Sequence, residues 1–108
     1  MIYLASPYTH DSSLIRFKRY SDAFRYTRHQ MRLRATIFSP VVYGHQFAPH
    51  IAGASPYEFW EYFNNQMMLL ATSVHVLQLD GWEQSRGIAH ELKIADDLGI
   101  AVKYVEPI

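Results

Sequence analysis

Cysteine is absent from these 108 residues, which removes disulfides, thiolate nucleophiles and cysteine-based metal sites. No apolar run approaches the roughly 20 residues needed to span a bilayer. The amino-terminal stretch MIYLASPYTH has no basic segment ahead of an apolar one, so a soluble, cytoplasmic protein is expected. Net charge is lacking too: ten basic side chains balance ten acidic ones, and overall charge selects no partner. GxGxxG, GxxxxGK(S/T) and GxSxG are all missing, and with them the signatures of dinucleotide, P-loop and nucleophile-elbow sites. Six histidines invite a metal. Yet His45 and His50 match no zinc spacing, His10 lies in another loop, and no dense carboxylate set accompanies them. His29, His75 and His90 read as surface or internally satisfied histidines. No metal and no cofactor is expected.

What remains is one domain, residues 1–108, with 49% apolar and 15% aromatic residues, enough for a core at this length. Ile2 to Ala5 reads as a buried strand closed by Ser6-Pro7. From Ser13 to Ala35 the pattern turns helical, with Phe17, Phe24 and Met31 seven apart and Tyr20 and Thr27 between them in one apolar stripe. Asp11, Ser12 or Ser13 supplies the cap. Residues 36–38 form a second strand, stopped at Ser39-Pro40. Residues 41–56, with Gly44, Pro49, Gly53 and Pro56, read as a long loop, with room for a turn of helix, and a loop of that length is usually functional. A strongly aromatic helix (Tyr57, Phe59, Trp60, Tyr62, Phe63) covers 57–72. Strand 74–79, helix 84–98 ended by Gly99 and strand 100–105 complete the chain. Strands alternating with helices predict an α/β fold: a small doubly wound, flavodoxin- or Rossmann-like three-layer sandwich with a parallel sheet in the order 2-1-3-4. Ligands of such folds bind beyond the carboxyl ends of the strands, which selects the segments 6–12, 39–50 and 80–87.

The informative polar residues fall in or beside those segments. Glu91 lies about a turn and a half into the last helix, and its helical neighbours Ile88 and Leu92 are apolar. A glutamate on a helix is ordinarily solvated; partial burial here would raise its pKa and make its carboxyl useful. Ser85 and Gly87 open the same helix, as a simple cap or as an anion or hydroxyl site. Trp82 is a wall of the loop or a platform for a base. The hydroxyl-rich SPYTHDSS, with Ser6, Pro7 and Tyr8, is turn chemistry or a sugar or phosphate cradle. Tyr3, on the first strand, ranks as core. Seven basic residues (Arg16, Lys18, Arg19, Arg25, Arg28, Arg32, Arg34) crowd one stretch, opposed there by Asp22 alone. Such a run is usually a solvated helix face, and nucleic acid is not expected as a partner.

IYLASPY at 2–8, FSPVVYGH at 38–45 and DGWEQSRGIAHELKIADDLGIAV at 80–102 together resemble the nucleoside 2-deoxyribosyltransferase superfamily, including its deoxynucleoside 5′-monophosphate N-glycosidases. They look closest to a small branch found in bacteria and phages. The resemblance runs along nearly the whole chain, loosely in the middle. It implies that Glu91 is the nucleophile on C1′ of deoxyribose and that Tyr3 orients its carboxylate. Ser85 and the backbone at Gly87 would hold the sugar's 5′ end or its phosphate, with Ser6, Pro7, Tyr8, His45 and Trp82 lining the substrate site. It also implies assembly with a second copy, which suits the aromatic helix 57–72. One departure stands out: where a second carboxylate is usual, this chain reads Asn64, Asn65, Gln66. Asp80 is the nearest substitute, as that acid or as a mere strand terminator. The expected function is N-glycosidase or deoxyribosyl transfer. The alternatives are a non-catalytic nucleotide-binding module of the same fold, and a flavodoxin-like interaction domain.

Overall fold

The computed structural model of the chain describes residues 1–48 and 56–108. Four parallel strands among them, β1 (Ile2–Ala5), β2 (Ile37–Phe38), β3 (Ser73–Leu77) and β4 (Ala101–Val105), form one sheet in the order β2-β1-β3-β4. Each parallel connection needs a crossover. The helices α1 (Ser13–Arg32), α2 (Pro40–Phe47), α3 (Pro56–Met68) and α4 (Arg86–Leu98) supply them. The fold is therefore the expected α/β sandwich in the expected strand order.

The two faces of the sheet bury different sets, as the period of two in a strand requires. Tyr3, Ala5, Val74 and Val76 point toward Met68 of α3 and Ile88 and Ala95 of α4. Leu4 and Leu77 point the other way, onto Ala23 and Tyr26 of α1 and Val41 of α2. Register places Tyr3 between Phe38 on β2 and Val74 on β3, so its side chain rises from the middle of the sheet.

Three expectations are corrected. Residues 40–47 are helical, not part of a loop. Ser39 caps α2, its Oγ accepting from the Val42 amide at 3.1 Å, and Pro40 sits at the first helical position, where its missing N–H is no loss. Ser39-Pro40 thus ends one element and begins another. Gly44 does not break the helix, because the ring of Trp60 closes over it with 3.7 Å left where a Cβ would be. Pro49, His50 and Gly53 lie outside the described residues, as does the Tyr57 side chain.

The stripe Phe17–Phe24–Met31 is not the core face of α1. Those side chains are exposed, and Asp22, Ala23, Tyr26 and Thr27 are buried. Buried Asp22 is neutralised by Lys18 at 2.8 Å and by Arg25. Finally, α3 stops at Met68, in a turn where the Leu70 amide bonds to the carbonyl of Met67.

Candidate active site

Glu91 is set by the geometry of α4. Ser85 caps this helix, its Oγ accepting from the Ile88 amide at 3.2 Å. Gly99, in the left-handed region at φ 69°, closes it. Ile88 and Ala95 pack on the sheet. Glu91, three residues after Ile88 and four before Ala95, lies on the same stripe and is turned toward β1. There the hydroxyl of Tyr3 donates a short hydrogen bond to Glu91 Oε2.

The electrostatics of this pair follow from burial. Glu91 as a residue is half-buried, and its carboxyl end is enclosed. Desolvation pushes its pKa from the usual 4.5 up to about 8, against the Tyr3 hydrogen bond, which pulls it down. Desolvation wins. Tyr3 is fully buried. Its hydroxyl is pushed far above the ordinary range by burial first, then by the Glu91 charge and the shared hydrogen bond. Tyr3 therefore stays protonated and remains the donor. A carboxyl this displaced costs stability, and such groups concentrate at working sites.

The other expected site residues are distributed as follows. Ser6 and Pro7, at the carboxyl end of β1, are buried, and Ser6 Oγ has no hydrogen-bond partner among the described residues. An orphaned hydroxyl beside the sheet edge is suited to a ligand or a water. Tyr8 and His45 are brought together, hydroxyl to Nδ1 at 2.7 Å, and the imidazole stacks on Tyr20 with ring centroids 4.1 Å apart. They tie the loop after β1 to α2. Trp82 packs against the core and against Tyr104, ring centroids 5.6 Å apart, and so is a wall on the α4 side. Gly87 is exposed, and a Cβ there would meet nothing closer than Ser85 Oγ at 3.8 Å. The open space in front of Gly87 is what a group bound at the helix start would need.

Asp80 is not brought to Glu91. It is exposed and lines a cleft of about 260 Å³ on the α1 side of the sheet, with His10, Lys18 and Arg19. A larger groove of about 460 Å³ runs between α1 and α2. Neither of these two includes Tyr3 or Glu91.

Two features were missed in the sequence. Arg19 spans the two loops at the sheet edge, donating to the carbonyls of Thr9 at 2.9 Å and Asp80 at 3.2 Å. Gly81, at φ 87°, makes way for it: a Cβ there would lie 2.7 Å from the guanidinium. Only the DG pair in the loop hinted at this turn. The second is the identity of the partners that satisfy His90, a histidine read as surface or internally satisfied: next to Glu91, it lies between Asn65 at 3.3 Å and Glu61 at 3.8 Å. The spacing of Glu61 and Asn65, one helical turn apart, was the available signal. Among the described residues no three His, Asp or Glu side chains converge as metal ligands would.

Among curated proteins none matches this chain. A family does: residues 1–106 match the family described as Domain of unknown function (DUF1937). The match spans all four strands and four helices, Tyr3 and Glu91 included, and the chain belongs to that family.

Proposed function

We propose that the protein is an N-glycosidase or deoxyribosyl transferase that cleaves the bond between base and sugar in deoxynucleosides or their 5′-monophosphates, with Glu91 as nucleophile. The observation that carries this reading is the Tyr3–Glu91 pair: a desolvated carboxyl oriented by a buried phenol. The order of motifs along the chain supports it by resemblance.

In the reaction, ionised Glu91 attacks C1′ as the bond from C1′ to the base nitrogen breaks. The leaving base takes a proton from solvent or from a group in the pocket. Water, or a second base, then attacks C1′ of the sugar ester; the ester bond breaks, the carboxylate returns, and the nucleophile's proton leaves to solvent. A carboxylate kept out of water is a strong partner for positive charge developing on the ring. The Tyr3 hydroxyl holds Oε2, and Oε1 is the oxygen assigned the attack. Ser85, Ser6 and the open backbone at Gly87 are the groups suited to the sugar and its 5′ end. A second copy of the chain completes the pocket through α3, whose Phe59 and Tyr62 are exposed by 43% and 68%.

The raised pKa favours a second reading as well. At neutral pH the unliganded carboxyl is largely protonated, which suits hydrogen-bond donation to a bound nucleotide in a non-catalytic module. Incubation with deoxynucleosides and their 5′-monophosphates, followed by chromatography for free base, separates the two. Release of base that Glu91→Gln abolishes supports the enzyme. Measurable binding with no release would leave the module.

A further inference from the structure

We infer that the groove between α1 and α2 is a second binding site, for a small aromatic phosphate held by Arg28, Arg32 and Arg34. It lies on the opposite side of the sheet from Glu91 and does not rest on the proposed reaction. The groove is a wide, open one of about 460 Å³, large enough to seat a small molecule against its wall. It is lined by Phe24, Thr27, Arg28, Met31, Arg32, Arg34 and Val42.

Its chemistry is two-sided. Phe24, Met31 and Val42 offer an apolar wall, and the Arg28 guanidinium lies over the Phe24 ring, 5.6 Å from its centroid. An aromatic ring and a guanidinium together make a platform for a flat group. Three arginines stand beside it, and no acid pairs with them among the described residues. Elsewhere on α1 the cations are already engaged. Lys18 and Arg25 neutralise Asp22, and Arg16 and Arg19 donate to main-chain carbonyls of the loop after β1. Arg28, Arg32 and Arg34 have no ion pair among the described residues. The uncompensated charge is thus a local patch, not a track along the helix. A patch suits a compact, multiply charged head group, and the planar fork of arginine matches phosphate oxygens. A long polyanion would need the track.

The backbone adds an independent sign. Arg34 stands at φ 66°, one residue past the helix cap Leu33. Its amide bonds to the carbonyl of Met31 at 2.9 Å, and that of Ala35 to Gln30 at 3.0 Å. This closing turn ordinarily takes glycine, which alone adopts the left-handed region without cost. Here an arginine is held in it, and strain of this kind is a mark of function. Thr27 adds a buried hydroxyl without a partner at the floor.

The test is a titration of the whole protein with ADP and with 1-naphthyl phosphate, followed by calorimetry, with adenosine and 1-naphthol as uncharged controls. At least one of the phosphates is expected to bind saturably, and its control at least tenfold more weakly. ADP alone would mark a nucleotide site, and both together a general aryl phosphate site. Arg28→Gln/Arg32→Gln, on the exposed helix surface, is expected to weaken binding at least tenfold with its circular dichroism unchanged. Arg34→Gly is the discriminating variant: it should weaken binding severalfold while raising Tm by about 4 °C, because glycine relieves the strained turn. No binding of either phosphate at millimolar concentration would overturn the inference. So would affinity undiminished in the double variant, or a single-stranded oligonucleotide binding where both small phosphates fail.

Discussion

At the scale of single residues, Glu91 carries competing demands of stability and chemistry. Its carboxyl is protonated more readily in the folded chain than in the unfolded one, with a pKa of about 8 against 4.5. Between those values the folded state holds the extra proton, so stability falls as pH rises from about 4.5 and levels off above about 8. At about 1.4 kcal/mol per unit of displacement the loss is on the order of a few kcal/mol. Glu91→Gln is therefore expected to melt at a higher temperature than wild type at pH 9 and to show a flatter dependence on pH. A melting series in which the two proteins run parallel would contradict the burial assigned to this carboxyl. If Glu91 attacks as the anion, base release should rise with pH and reach a plateau above about 8. Tyr3→Phe removes the hydrogen bond that lowers the Glu91 pKa, so its defect should be roughly tenfold or more at pH 7 and shrink by pH 9. A deficit of equal size at both pH values would count against Tyr3 acting through that pKa.

How much of this pair could be read beforehand depends on the residue. Glu91 was legible because Ile88 and Leu92 flank it on an apolar stripe. Tyr3 as its partner came from the resemblance, since a tyrosine within a strand otherwise reads as core, and it is indeed fully buried. Arg19 was illegible: its role depends on two loops, separated by some 70 residues of chain, meeting at one guanidinium.

Among elements, α2 is the instructive case. Periodicity over eight residues is short, and Gly44 and the prolines nearby suggest a loop. The helix exists because Ser39 and Pro40 start it and because tertiary contacts, Trp60 against Gly44 and Val41 against the α1 face, hold it. Gly44→Ala is accordingly expected to stabilise the fold by about 0.5–1 kcal/mol, as the added methyl fills ordinary contact space and the helix gains propensity. A drop in the denaturation midpoint would show that the Trp60 ring packs too closely. For α1 the seven-residue repeat located a real stripe but not its environment. The face that meets the sheet is built from Ala23, ion-paired Asp22 and Tyr26, whose hydroxyl meets His75 Nδ1 at 3.0 Å, and hydrophobicity alone underrates all three.

At the scale of the whole molecule, the strand order was readable because alternating strands and helices leave few topologies once crossovers are right-handed. Assembly was not, since apolar surface says nothing of what covers it. Tyr62 of α3 and, just past its end, Leu69 and Leu70 are exposed by 68%, 61% and 64%, and the proposed second copy would cover them. Tyr62→Glu/Leu70→Glu is expected to shift the protein to monomer in sedimentation and to lower base release. A wild type that is monomeric at every concentration would remove the shared pocket.

The proposed reaction turns on a bond between C1′ of deoxyribose and an oxygen of Glu91. Acid quenching during turnover of a deoxynucleoside 5′-monophosphate at pH 9, followed by peptide mass spectrometry, reads that bond directly. A 5-phosphodeoxyribosyl group, esterified through C1′ to the Glu91 carboxylate, is expected on the peptide containing Glu91 and is absent from Glu91→Gln. The same adduct on another residue, or base release by Glu91→Gln at the wild-type rate, would contradict it.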